Sequence, residues 1–324
     1  MSDYPAMAVL AGRQHAEPVQ QGDHIEDDQI VEMFLAVSGL SDNTVKSYRR
    51  AITLFRSFIP NKPLRDVTWK DIEAFKLGLI RGYASYSGKP LSAASVSAII
   101  APLKSLFKWG SDGNIGLFSR NPTSSVRTPS VPVTSSKHYL TKDEVGRLLK
   151  RLRLQNRRNF LIGLSLVTLG LRVSELVAMR WEHFHRDLTD TSVWLTVERG
   201  KGGKARSIKV PGHLWRLYEE YRSEAGTDGV PLKNGLVFPI SVRQVERIIG
   251  KAGESILTKK PTPHWLRHTS ATLALLTGAT LQQVQENLGH THINTTQRYL
   301  HTVDQIKKAA PDFVEEVLLD FIDL

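Results

Sequence analysis

Residues 192–210 read SVWLTVERGKGGKARSIKV. Two short runs, 192–198 and 205–210, alternate apolar and polar residues, and a Gly-rich turn at 199–204 (RGKGGK) separates them. Alternation with period two gives a strand one buried face, and glycines permit a tight reversal, so the stretch predicts a β-hairpin with Lys201 at its tip. The rest of the chain has a helical period. Downstream, helices are predicted near 214–221, 242–251, 265–276, 281–288 and 295–301. Upstream, Thr141 and Glu144 form a capping box ahead of Val145, Leu148 and Leu149, and a buried helix follows at 160–169. The fold class is mainly α with a small β-hairpin or sheet.

Further toward the N-terminus, residues 121–136 (NPTSSVRTPSVPVTSS) are rich in Pro, Ser and Thr and read as an extended linker. Before them lies an all-helical segment. Ile30, Phe34 and Val37 share one helix face, and Ser41 is placed to cap a second helix with the stripe Val45, Tyr48, Ile52, Phe55 and Ile59. Thr68 and Asp71 cap a third. A fourth, over 91–109, carries Val96, Ile99, Leu103, Leu106 and Phe107. The division is therefore a flexible acidic stretch 1–24, a helical domain 25–120, the linker 121–136, a larger domain 137–310 and an amphipathic tail 311–324.

Composition narrows the function. The chain of 324 residues has no cysteine, which excludes disulfides, a cysteine nucleophile, thiolate zinc and iron–sulfur sites. No apolar run approaches the ~18–20 residues of a membrane span, and no basic flank precedes residues 6–11, so neither a membrane nor a secretory signal is expected. The net charge is +11, but it is unevenly spread: −7 over residues 1–45, +10 over 46–127, +13 over 137–310 and −5 over the last fourteen. Two basic bodies between acidic ends point to a polyanion, most often nucleic acid.

Four segments carry candidate chemistry: 168–176 (TLGLRVSEL), the hairpin tip, 264–268 (HWLRH) and 288–299 (LGHTHINTTQRY). Taken singly, each has a plain structural reading. Arg172 at a helix start with Glu175 one turn on is an ordinary ion pair, Lys201 is a solvated turn residue, and a lone Tyr299 packs. His264 and His268 have a metal-ligand spacing, but the segment lacks the Glu that a zinc protease needs beside its first His, so no metal site is expected and His268 reads as a locally bonded helix residue.

Together the segments set Arg172, Lys201, His264, Arg267, His290 and Tyr299 in order, and the chain resembles a tyrosine recombinase of the phage integrase and Xer group. The resemblance spans roughly 270–290 residues and includes residues 40–50 (LSDNTVKSYRR), similar to that family's core-binding domain. It implies a SAM-like helical core-binding domain plus an α+β catalytic domain. The implied activity is site-specific DNA strand exchange through a 3′-phosphotyrosyl intermediate without cofactor or metal. In that scheme Tyr299 is the nucleophile and Arg172 and Arg267 clamp the phosphate. Lys201 is the general acid, His264 the proton acceptor and His290 a phosphate hydrogen-bond donor, while Glu175 orients its neighbours. The implied partners are a double-stranded recombination site and a homo-tetramer on two sites assembled from monomers, with the tail docking into a neighbour, in a cytoplasmic, nucleoid-associated setting. Basic residues expected at DNA are Lys46, Arg49, Arg50, Lys104, Lys108, Lys204, Arg206, Arg243 and Arg247. Three alternatives stay open: a type IB topoisomerase-like enzyme, a telomere resolvase, and a catalytically silent DNA-binding factor.

Overall fold

The structure is a computed structural model that describes residues 25–130, 138–198, 205–227, 235–290, 292–307 and 310–318. The chain divides into two compact units, 1–132 and 133–324.

The described part of the first unit is helical: α1 (Asp27–Val37), α2 (Asp42–Phe58), α3 (Trp69–Arg81) and α4 (Ala93–Gly110). Each helix contributes the apolar stripe that its period predicts, and the stripes meet on a core of phenylalanines. Phe34, Phe55, Phe75 and Phe107 are fully buried or nearly so. Phe55 sits at the centre, its ring 5.1 Å from Phe75 and 6.4 Å from Phe107, both edge-on. The capping box at Thr68 forms, with the Thr68 N–H donating to Asp71 at 2.8 Å. Two local readings differ. Val37 is 53% exposed at the end of α1, because that helix stops before the residue reaches a partner. The Ser41 hydroxyl pairs with the Thr44 hydroxyl at 2.9 Å rather than with a backbone N–H. Within the expected linker, residues 121–130 lie against the helices. Val126 joins the core, and Lys104 and Lys76 donate to the carbonyls of Val126 and Arg127 at 2.6 and 2.9 Å.

The second unit contains α5 (Lys142–Gln155), α6 (Arg157–Leu169), α7 (Val173–Val177), a three-stranded sheet, α8 (Gly212–Thr227), α9 (Val242–Glu254), α10 (Pro263–Leu276), α11 (Leu281–Leu288), α12 (Ile293–Lys307) and α13 (Ala310–Leu318). The sheet is antiparallel in the order β1 (Phe184–Arg186), β2 (Val193–Val197) and β3 (Arg206–Val210). Strands β2 and β3 are the predicted hairpin arms, in register Val193↔Val210, Leu195↔Ile208 and Val197↔Arg206. Strand β1 has three residues and an exposed edge, too little alternation to announce itself. The buried face of the sheet packs with α6, α5, α9 and Leu266 of α10 into the main core. A smaller apolar cluster joins α10, α11 and α12 through Ala271, Leu275, Val284, Leu288, Tyr299 and Val303. No helix among the described residues is long and apolar enough to cross a membrane.

Truncating Phe55, which is 0% exposed, should destabilise the first unit by about 3–5 kcal/mol. Amide hydrogen exchange on Phe55→Ala should show lost protection in α1–α4 and unchanged protection in α5–α12; unchanged exchange in the first unit would count against its single core.

Candidate active site

The site is built at helix ends. Helix α6 stops at Gly170, whose φ of +64° is left-handed and whose absent Cβ leaves room for Leu288; a Cβ there would lie 2.8 Å from the Leu288 side chain. The chain turns and α7 begins behind Arg172, so Arg172 sits at a corner instead of on a helix flank. Its side chain keeps 28% exposure. Helix α11 ends in the same way at Gly289, φ +65°. These two helix C-termini leave carbonyls without helical partners. Arg267, on α10, fills both: its Nη1 donates to the Gly170 carbonyl at 2.7 Å and its Nη2 to the Leu288 carbonyl at 2.6 Å. A cation at two negative helix termini is well placed. Arg267 is 3% exposed; burial foremost, and then the charge of Arg172, lowers its pKa to about 10, which still leaves it charged near neutrality.

Glu175 joins the arginines. Its side chain is 3% exposed, with Oε1 and Oε2 accepting from Arg172 Nη1 (2.7 Å) and the Arg172 backbone N–H (2.8 Å). Arg206 donates to both oxygens, at 2.9 and 2.8 Å, and Arg267 approaches to 3.9 Å. Burial pushes the carboxyl up, but the hydrogen bonds and charge of Arg206, together with those from Arg172, outweigh it and hold the pKa at about 2.

Tyr299 is 9% exposed on α12, between two imidazoles. The His290 ring is parallel to it, 6.4 Å away and 4° from coplanar orientation, and the His268 ring is 5.3 Å away. His290 is fixed through Nδ1, 2.9 Å from the Thr296 hydroxyl, and through its carbonyl, which accepts from Gln285 at 3.0 Å. His264 is exposed at the mouth, and its Nε2 lies 2.8 Å from Nε2 of His268. One of the two nitrogens carries the proton and the other accepts it. All three histidines have lowered pKa values, with burial as the main cause. His268 and His290 fall to about 4, His268 being pushed further by neighbouring imidazoles and His290 by Arg267 and Arg172.

The structure thus brings Arg172, Arg267, His264, His290, Glu175 and Tyr299 into one cluster from three separated segments. Lys201 and Lys204 lie outside the described residues. Of the other expected DNA contacts, Lys46, Arg50, Lys108, Arg243 and Arg247 are exposed. The guanidinium of Arg50 covers the Tyr86 ring at 4.9 Å. Arg49 is paired with Glu32, and Lys104 is tied to Val126. Arg206 differs from the exposed ones: its side chain is 9% exposed and bonded to Glu175 and to the Asn287 carbonyl, within the buried charge cluster. His268 bonds locally, to His264 one turn away, as expected; in addition its ring stands between His264 and Tyr299, a contact with no trace in the sequence.

Residues 138–305 match the phage integrase family, and residues 29–116 match the N-terminal SAM-like domain of phage integrases. A tyrosine recombinase of Thermosipho africanus is 31% identical over 288 residues, covering 86% of this chain and 97% of that protein. Tyrosine recombinase XerA of Pyrococcus furiosus is 31% identical over 281 residues, covering 85% of this chain and 90% of the relative. Among solved structures, a lambda integrase tetramer bound to a Holliday junction superposes with a TM-score of 0.65 at 25% identity, over 84% of this chain and 75% of that one. The chain belongs to the phage integrase family of tyrosine recombinases and is a site-specific DNA recombinase, an enzyme that transfers DNA strands.

Proposed function

We propose that Tyr299 is the nucleophile of this recombinase and that the arginine corner beside it receives the scissile phosphate. The observation that carries this reading is the convergence of Arg172, of His264 and Arg267, and of His290 with Tyr299, from three separate segments, on one cluster. In the proposed step the Tyr299 oxygen forms a bond to phosphorus, and the bond from phosphorus to the 5′-oxygen breaks. Lys201 supplies the proton that the departing 5′-oxygen needs. Attack by the free 5′-hydroxyl of another strand reverses the step and rejoins DNA; the phosphotyrosyl bond conserves the phosphodiester energy, so joining needs no ATP.

Arg172 and Arg267 face charge that grows on the non-bridging oxygens, where fixed donors act most strongly. Tyrosine has an ordinary pKa near ~10 and needs help to lose its proton. His264 is the acceptor: it is unprotonated at neutral pH, and its Nε2 lies 2.8 Å from Nε2 of His268, so a proton taken from Tyr299 is shared along the pair. His290, parallel to the tyrosine ring and anchored through Nδ1, presents its other nitrogen to the phosphate.

The assembly is proposed to be a homo-tetramer holding two double-stranded sites, acting at the nucleoid of the cytoplasm. A relative of known structure forms a tetramer on a Holliday junction. In this chain α13 leaves Val314 58% and Leu318 45% exposed beside Glu315 and Glu316. A groove of about 790 Å³ lined by Ala271, Ala274, Val284 and Leu288, with Lys142, Lys209 and Glu286 also in its lining, offers the apolar floor that an amphipathic helix from a second copy requires. Its floor shares Ala271, Val284 and Leu288 with the Tyr299 cluster, which links occupancy to the nucleophile.

Three outcomes are expected. On a duplex nicked near the cleavage point, which traps the covalent adduct, the wild-type protein should accumulate DNA-linked protein and Tyr299→Phe none; an adduct with Tyr299→Phe would remove Tyr299 from the role. Lys201→Ala should cleave only a substrate with sulfur at the 5′-bridging position, a leaving group that needs no proton. Removing residues 311–324 should leave single-site binding intact and impair synapsis and cleavage, and full recombination by the truncated chain would defeat the docking proposal.

Stability should also follow the histidines. A folded-state pKa near 4 against an ordinary 6.5 means that the unfolded chain takes up protons first. The contribution is complete above about pH 6.5 and is lost as pH falls toward 4. Denaturant midpoints measured from pH 7.5 to 4.5 should fall, and His268→Asn should flatten the slope; an unchanged slope would contradict burial of neutral His268.

A further inference from the structure

Arg206 takes no part in the chemistry described above, yet each of its three nitrogens donates a hydrogen bond. Its side chain is 9% exposed. Nη1 and Nη2 donate to the two oxygens of Glu175 at 2.9 and 2.8 Å, and Nε donates to the Asn287 carbonyl at 2.8 Å. An ionised carboxylate offers about four lone-pair sites. On Glu175 all are occupied: Oε1 by Arg172 Nη1 and Arg206 Nη1, Oε2 by the Arg172 backbone N–H and Arg206 Nη2. Arg172 is therefore held by a single guanidinium nitrogen, although an arginine beside a carboxylate ordinarily engages it as a two-pronged fork.

We propose that Arg206 is a positioning residue for Arg172. By occupying half of the Glu175 carboxylate, it prevents Arg172 from closing onto Glu175 as a fork and leaves the rest of that guanidinium for the scissile phosphate. The same side chain holds the far wall of the site. It binds the Asn287 carbonyl and fills the space beside Gly289, where a Cβ would lie 2.8 Å from Arg206 Cδ; His290 is the next residue. One buried cation thus sets Arg172 on one side and the start of the His290 segment on the other. Lysine cannot reproduce this, because a single ammonium does not present two parallel donors to Glu175 and a third to Asn287.

The inference rests on the reading of Arg172 as a phosphate ligand, and the test separates the two. Single-turnover adduct formation on the nicked duplex would be measured for wild type, Arg206→Met, Arg206→Lys and Arg206→Met combined with Glu175→Gln, with DNA binding followed by anisotropy and folding by denaturant titration. Displacing a positioned group costs up to ~100-fold, so Arg206→Met is expected to lose adduct formation on that scale while still binding DNA. Adding Glu175→Gln should recover several-fold of the loss, because a neutral amide no longer captures Arg172; a merely structural pair would show no such rescue. A methylphosphonate at the scissile position, which carries no charge and asks less of Arg172, should narrow the gap between Arg206→Met and wild type. Wild-type rates from Arg206→Met, or a double variant no faster than Arg206→Met, would overturn the proposal. Should Arg206→Met fail to fold, Arg206→Lys with and without Glu175→Gln makes the same comparison under the same criteria. Failure of the wild-type protein to form any adduct would instead count against the role given to Tyr299.

Discussion

A carboxylate buried among three guanidiniums is the constraint on which this catalytic unit depends. Glu175 has almost no solvent, so its charge is stable only because Arg206 and Arg172 saturate its oxygens and Arg267 stands 3.9 Å away. The dependence is mutual. Arg172, Arg206 and Arg267 would repel one another across a desolvated corner if the carboxylate were absent, and the lowered pKa of Arg267 reports that repulsion together with burial. Removing any member leaves an uncompensated buried charge, which is more costly than never having built the pair.

What brings these charges together is the way helices end. The left-handed residues Gly170 and Gly289 stop α6 and α11 abruptly, so each presents a bare carbonyl at its last turn. Arg267 bridges those two ends from a third helix, α10, and so becomes a strut as well as a charge. Its position is set by backbone groups, which do not change rotamer, and this suits a side chain whose proposed task is to meet a phosphate at one place. The two glycines also admit neighbours at close range, Leu288 beside Gly170 and Arg206 beside Gly289, so the turn conformation and the packing require the same residue.

Much of this was legible in the chain. Periodicity located the helices, and the capping signals at Thr68–Asp71 and Thr141–Glu144 formed as read, because both depend on residues within one turn. The hairpin arms were legible for the same reason. The burial of the Arg206 side chain had a signal that net charge obscured: in β3 it shares parity with Ile208 and Val210, the buried face, while Ser207 and Lys209 point outward. Net charge argued for a DNA surface, and parity, the stronger physical signal, argued for the core. The local bond of His268 to His264 was legible in their i, i+4 spacing, but its contact with Tyr299 was not, because that comes from the packing of α12 on α10. The short strand β1 was invisible because it exists only as the edge partner of β2.

The charge of the site also bears on what it binds best. Three arginines against one carboxylate leave an excess of about two positive charges, and the same field, with burial, keeps His290 neutral and so adds none. A phosphodiester brings one negative charge. The five-coordinate transition state of the proposed attack by a tyrosinate brings a second to the same oxygens. In the proposed scheme this corner, with Lys201 as a further cation, is over-charged for the ground state and closer to the transition state, which is the direction in which preorganised electrostatics must be biased to accelerate a reaction instead of merely binding its substrate. Glu175 sets that value. A second buried carboxylate would lower the excess to about one, and none would leave the three guanidiniums to repel one another with no anion between them. In the proposed step, the carboxylate that looks like an anion in the wrong place tunes the site to the charge it meets at the top of the barrier.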